Sequence, residues 1–301
     1  MAATSHSRPC AITLYLPSDT FHRKYSTRAM ESDSIVKPRL AATVMLLRDG
    51  VDGMEVFMIV RHQGNDFASG ALVFPGGRVD PEDHDLASDP AIFPPRSEAD
   101  AAAAALRVAA VRETFEECGV LLARPRGETT LVNASRLREI ENTHRAALAG
   151  GERAFGAMLA AENLVLAPEL LTHFAHWITP ARVPKRFDTH FFLAAAPSDQ
   201  IALHDGHEAV DSVWISPKTA LDSCKAGTHK LVFPTQMNLQ KLARQQISAA
   251  AIEAARKSQV VTVLPRQEQT RDGKRVLRIP LEADYGGELF EVSNPPSMPN
   301  P

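Results

Sequence analysis

The sequence predicts an α/β fold, an α/β/α sandwich around a mixed sheet. Three observations predict it. Two apolar runs near the start pair across a glycine turn, a long alanine-rich helix ends on a glycine, and strands then alternate with helices. Leu40 to Leu47 and Glu55 to Arg61 form the first strand pair, joined through Asp49-Gly50-Val51-Asp52-Gly53. Ala71 to Phe74 is a short strand that Pro75-Gly76-Gly77 breaks sharply. Ser97-Glu98-Ala99-Asp100 supplies the cap of a helix running to Cys118, and Gly119 is placed to end it. Arg136 to Ala149 and Ala154 to Asn163 follow as helices. Phe174 to Ile178, Thr189 to Ala195 and Ala209 to Ile215 read as strands. Ser216-Pro217 opens a short helix, and Pro234 to Ser258 is a long one. Val260 to Leu264 and Arg275 to Pro280 close the chain as a strand pair around Asp272-Gly273.

Composition narrows the class. A chain of 301 residues with 44% hydrophobic content fills one large or two small domains. A net charge of −3 argues against nucleic acid or a membrane surface as partner. No apolar run approaches the ~18 residues of a membrane span. Cys10, Cys118 and Cys224 are scattered, with neither zinc-ligand spacing nor a disulfide framework, and read as free thiols of a cytoplasmic protein. Residues 1–38 lack sustained periodicity and are expected to be disordered or an upstream extension, with Met30 an alternative start. The rival reading is a targeting peptide, given Arg8, Arg23, Lys24 and Arg28. One domain is expected over 39–285, with a disordered tail over 286–301.

The chemistry concentrates in Arg112-Glu113-Thr114-Phe115-Glu116-Glu117-Cys118-Gly119-Val120. On a helix, Glu113, Glu116 and Glu117 stand at i, i+3 and i+4 and project from one face within a turn. Like charges so placed repel unless a cation sits among them. Oxygen-only ligands suit Mg²⁺ or Mn²⁺ rather than zinc. Val108, Val111, Phe115 and Cys118 form an apolar stripe for the core. The glutamates fall on the other side, beside Leu106, Ala109 and Ala110, small enough there to leave room for a ligand. A solvated acidic face is the alternative that such charge clusters always carry.

Upstream, the strand, the Pro-Gly-Gly turn and the acidic stretch Arg78-Val79-Asp80-Pro81-Glu82-Asp83, expected as a loop, complete a pattern that resembles the Nudix hydrolase signature. That box runs Gly, five residues, Glu, seven residues, Arg-Glu, aliphatic, any, Glu-Glu, any, Gly, aliphatic. Gly77 matches its first glycine, and Arg112, Glu113, Glu116, Glu117, Gly119 and Val120 match its second half. Asp83 stands where the box has Glu, a place that Glu82 or Asp80 also suits, and Thr114 occupies the aliphatic slot. Between Asp83 and Arg112 lie 28 residues, so 21 are inserted, over 84–104, expected as a loop entering an extended helix. The interrupted box resembles the branch of coenzyme A diphosphatases with an insertion at this point. Trp177-Ile178-Thr179-Pro180, Pro184 to Phe192, and His207-Glu208 before Val213-Trp214-Ile215 are similar to later segments of that branch.

The resemblance implies a Nudix-type sandwich with extra helices. It also implies Mg²⁺- or Mn²⁺-dependent hydrolysis of the diphosphate in a nucleoside diphosphate derivative. Coenzyme A or acyl-coenzyme A leads, giving 3′,5′-ADP and a phosphopantetheine product. ADP-ribose, NADH or another nucleoside diphosphate, and a non-catalytic nucleotide sensor, are the alternatives. Glu113, Glu116, Glu117 and Asp83 are the implied metal ligands, Glu113 and Glu208 the candidate bases, and Arg112 the residue that orients the carboxylates. Gly76 and Gly77 are expected at the substrate, with Arg61, Arg78, Lys185 and Arg186 as candidate cations for a 3′-phosphate. Phe187, Phe191 and Phe192 are candidates to stack on adenine or, as alternating aromatics in a strand, to fill the core. A homodimer is compatible with the family, and nothing in the sequence locates an interface.

Overall fold

The computed structural model describes residues 36–61, 70–94, 100–149, 154–181, 183, 185–203, 209–269 and 275–292. The chain opens with β1 (Arg39–Gly50) and β2 (Gly53–Arg61), antiparallel across the expected turn. β3 (Leu72–Val73) and β4 (Gly76–Arg78) follow, then α1 (Pro81–Ser88) and α2 (Ala101–Cys118). β5 (Ala123–Pro125) and β6 (Leu164–Leu166) pair around a helical excursion. That excursion holds α3 (Ala134–Ile140), a π-helical turn over Glu141–Arg145, α4 (Ala146–Ala149) and α5 (Phe155–Ala161). Next come β7 (Thr172–Ile178), β8 (Phe187–Ala195) and β9 (Ala209–Ile215). Three helices follow, α6 (Pro217–Lys225), α7 (Phe233–Leu242) and α8 (Ser248–Lys257). β10 (Thr262–Val263), β11 (Arg266–Gln269), β12 (Arg275–Arg278) and β13 (Leu289–Glu291) complete the chain.

The main sheet has the order β10-β7-β8-β1-β2-β3, with β4 also on β1 and β9 also on β2. It is mixed, because β1 runs parallel to β8 and antiparallel to β2 and β4. A strand at the centre of such a sheet is covered on both faces, which accounts for the nearly unbroken apolar run of β1. Ala42, Val44 and Leu46 pack with α2, α3 and α5, whereas Met45 and Leu47 pack with α6, α7 and α8. The two buried clusters are the two interfaces of an α/β/α sandwich. No helix among the described residues is long and apolar enough to cross a membrane.

Four expectations need correction. The acidic stretch after the glycine turn is no loop: Pro81 starts α1, so the insertion begins inside a helix, and it ends in the first turn of α2. The helix expected over Pro234 to Ser258 is two helices. The break is tertiary: Gln246 gives its carbonyl to the Met54 N–H at 2.9 Å, and Asp49 Oδ1 accepts the Ser248 N–H at 2.7 Å and its hydroxyl at 2.9 Å. The strand expected over Val260 to Leu264 does not pair with β12. It lies parallel to β7, with buried Val263 opposite Trp177, while β12 takes β11 and β13. β13 and buried Val292 also fall in the stretch read as a tail, because β12 offers them a free edge. Residues 1–35, Ser97 to Ala99 and Asp272-Gly273 lie outside the described residues.

Asp49 thus caps α8 from the end of β1, about 200 residues away. Asp49→Ala should lower stability by ~1 kcal/mol and the melting temperature by about 2–4 °C. Thermal unfolding checks this, and an unchanged melting temperature would mean that the contact holds nothing.

Candidate active site

The candidate site lies where the glycine turn and β4 meet the C-terminal half of α2. Asp100 starts α2, its carboxylate accepting the Ala102 N–H at 2.9 Å. Gly119 ends it with φ 69°, and its N–H returns to the Phe115 carbonyl at 2.9 Å. That left-handed φ is strained for a residue with a Cβ, which is why the stop is a glycine.

Arg112 organises the interior. Its Nε donates to Asp83 Oδ1 at 2.9 Å, and Nη2 donates to Asp83 Oδ2 at 2.8 Å and the Arg78 carbonyl at 2.9 Å. Its Nη1 donates to Glu113 Oε1 at 2.9 Å and Glu116 Oε2 at 3.1 Å. All five guanidinium N–H groups are therefore matched. Burial alone would weaken the charged form, but the carboxylates of Asp83, Glu113 and Glu116 outweigh it and raise the Arg112 pKa. Asp83, fully buried, also accepts the Asp80 N–H at 2.8 Å, closing the first turn of α1. Burial pushes the Glu116 carboxyl above its ordinary range, against the opposing pull of Arg112.

The glycines serve close approach. Glu117 Oε2 accepts the Gly76 N–H at 2.6 Å. Gly76 adopts φ 150°, and a Cβ there would stand 2.3 Å from the Ala42 carbonyl oxygen. A Cβ at Gly77 would stand 2.3 Å from Glu113 Oε1. The turn thus binds one glutamate through its amide and makes space for another. Thr114 is fully buried and donates its hydroxyl to the Ala110 carbonyl at 2.6 Å, which makes a polar residue tolerable in the aliphatic slot.

The expected room beside Leu106, Ala109 and Ala110 is absent, since all three are buried. The insertion contributes to this: it completes α1, which packs against α2, and sends Leu86, Ile92 and Phe93 into the same core. Arg186 is buried as well. It donates to the Thr179 carbonyl at 3.0 Å and the Val36 carbonyl at 2.6 Å, so its guanidinium is taken up by backbone carbonyls. Phe191 and Phe192 lie in the core, while Phe187 is half-buried. Trp177 is buried and donates to the Tyr285 hydroxyl at 2.9 Å. Arg78 is exposed on β4 and Lys185 is exposed ahead of β8. Glu208 and the side chain of Arg61 lie outside the described residues.

One cluster escaped the sequence reading: His173, His176, Asp188 and His190 meet on β7 and β8. The signal was present as Asp188-Thr189-His190, two polar residues at strand period on one face.

The Arg112–Asp83 pair gives a clear expectation. Arg112→Met should cost about 3–5 kcal/mol, because it leaves Asp83 charged and buried without its partner. Asp83→Leu combined with Arg112→Met should recover part of that loss in urea unfolding. Strictly additive losses would show that the pair is not coupled.

Comparison with known proteins supplies the family. Residues 87–242 match the family model described as the NUDT19 Nudix domain. The fold is similar to that of a Nudix hydrolase from Alicyclobacillus acidocaldarius, with 30% identity and a TM-score of 0.63 over 73% of this chain and 97% of that one. Acyl-coenzyme A diphosphatase NUDT19 of Xenopus laevis is 26% identical over 220 residues, 60% of this chain and 57% of that protein. The human protein of that name is 33% identical over 128 residues, 40% of this chain and 34% of that protein. This chain spans about half the length of the curated relatives it matches first. With its signature assembled on an α/β/α sandwich and its sequence matched over more than half its length, the chain belongs to the Nudix hydrolase family.

Proposed function

We propose that this chain hydrolyses the diphosphate linkage of a nucleoside diphosphate derivative, with coenzyme A or acyl-coenzyme A as the leading substrate. The observation that carries the reading is that one guanidinium holds Glu113 and Glu116 while the Gly76-Gly77 turn holds Glu117 through its amide and makes space for Glu113. Four carboxylates, those of Asp80, Asp83, Glu113 and Glu116, surround Arg112 within 4.0 Å, so the cluster stays strongly negative. That surplus of charge and an all-oxygen donor set fit Mg²⁺ or Mn²⁺. Glu113, Glu116 and Glu117 would hold the ion. Asp83, with both oxygens on Arg112, serves in this reading to position the set.

When bound, such an ion neutralises the diphosphate and makes water a better nucleophile. The chain's own residues then have distinct tasks. Arg112 binds Asp83 bidentately, gives one Nη1 hydrogen bond each to Glu113 and Glu116, and keeps their orientation without touching substrate. The Gly76-Gly77 backbone lets the diphosphate approach as it lets the glutamates approach. Glu113 or Glu208 takes the proton of the attacking water. Arg78, exposed on the strand that carries Gly77, is the leading cation for a 3′-phosphate, with Lys185 and Arg61 as further candidates, whereas Arg186 is engaged by backbone carbonyls. The names of the NUDT19 relatives favour acyl-coenzyme A within this class.

The test is cleavage by purified protein, with Mg²⁺ or Mn²⁺, of coenzyme A, acyl-coenzyme A, ADP-ribose and NADH. Release of 3′,5′-ADP with the others slow supports the proposal, whereas preference for ADP-ribose or NADH would discard the coenzyme A assignment. Glu117→Gln should lower kcat at least about a hundredfold, since even the partners of metal ligands cost 10–100-fold when removed. Full activity in that variant would remove the metal-site reading. Gly77→Ala should likewise lose activity at least about tenfold while melting within a few degrees of the parent, because the new methyl displaces Glu113.

A further inference from the structure

We propose that His176, Asp188 and His190 form a second metal site, separate from the glutamate set and suited to a first-row transition ion such as Zn²⁺. One ligand atom from each of the three lies within 4.8 Å of the other two. Both imidazoles turn Nε2 to the same oxygen: His176 Nε2 is in hydrogen-bond contact with Asp188 Oδ1, and His190 Nε2 is 3.9 Å from it. The rings of His176 and His190 stack, with centroids 3.9 Å apart and planes at 20°.

The sheet sets this arrangement in advance. Asp188 and His190 are two apart on β8, hence on one face, and His176 is the register partner of His190 on β7. Side chains placed by paired strands need little ordering to bind. The outer partners also fit. His176 Nδ1 meets Thr262 Oγ1 at 2.8 Å, and His190 Nδ1 meets His173 Nε2 at 3.0 Å. A hydrogen bond at the second ring nitrogen is what fixes tautomer and orientation in metal-binding histidines. Ligand atoms about a tetrahedral ion stand roughly 3.3 Å apart for metal–ligand bonds of about 2.0–2.1 Å. The His190–Asp188 gap, 3.9 Å, therefore closes by about half an ångström around such an ion.

The chemistry differs from that of the glutamate site. Two imidazoles and a carboxylate favour zinc and its neighbours over Mg²⁺, which seeks oxygen. Three protein ligands leave a fourth position, and the side chains keep access to solvent, at 15%, 30% and 18% exposure for His176, Asp188 and His190. His190 pairs with Ala42, which pairs on its other side with Gly77. The two sites thus lie two strand spacings apart, roughly 10 Å, on the face that α2 covers.

The experiment uses the full chain stripped of metal and dialysed against Zn²⁺ with millimolar Mg²⁺ present. Expected is one zinc per chain, with affinity weakened at least about tenfold in His176→Ala, His190→Ala and Asp188→Asn. Glu116→Gln/Glu117→Gln should bind zinc like the parent, which separates this proposal from the function assigned above. Co²⁺ in place of zinc should give the intense visible absorption of a four-coordinate site in the parent. That readout decides the question even if a histidine variant does not fold. Absence of stoichiometric zinc in the parent, equal binding by the three variants, loss of zinc in the glutamate variant alone, or a cobalt spectrum like that of the aqueous ion would overturn the proposal.

Discussion

The five donors of Arg112 are the constraint on which the candidate site depends. A guanidinium is flat and presents its N–H groups at fixed angles, so whatever satisfies all five is placed to within tenths of an ångström. Here they bind Asp83 along one edge, the Arg78 carbonyl beside it, and Glu113 and Glu116 along the other. α1, β4 and α2 are joined through a single buried charge. In water such a group would be worth little. Out of water it binds strongly because loss of any partner leaves a charge stranded.

That arrangement needs a backbone that lets carboxylates close in, and β1 supplies the base for it. The strand is covered on both faces and receives β4 on one side and β8 on the other. Gly77 stands opposite Ala42, and Glu113 fills the volume that a side chain at Gly77 would take. Ala42 is also the neighbour of His190. One small residue on the central strand therefore lies between the glutamate cluster and the histidine cluster. The sheet spacing keeps the two sets of ligands apart while α2 covers the face that both occupy.

The insertion in the signature changes packing more than chemistry. It contributes the end of α1, and the helix it extends is buried nearly all round. The acid that replaces the signature's first glutamate sits at the third position of α1, where it closes the helix start and receives Arg112. Spacing along the chain gave no access to this, because Asp83 and Arg112, with 28 residues between them, are brought together only when α1 packs against α2.

What the sequence alone determined follows from short-range rules. The helical spacing of Glu113, Glu116 and Glu117, the glycine stop at Gly119, the Pro-Gly-Gly break and the apolar runs of the central strands each depend on a few neighbouring residues. Arg112 was legible as the cation among those carboxylates for the same reason. The tertiary structure decided the rest. Asp49 capped the start of α8 from the distant end of β1, Val263 chose β7 over β12, and β13 found the free edge of β12. Arg186 turned from a candidate phosphate ligand into a clasp on two carbonyls, and two histidines from β7 and β8 converged on one carboxylate. These outcomes depend on which surfaces and edges the packed sheet leaves available, and such availability exists only once the chain has folded.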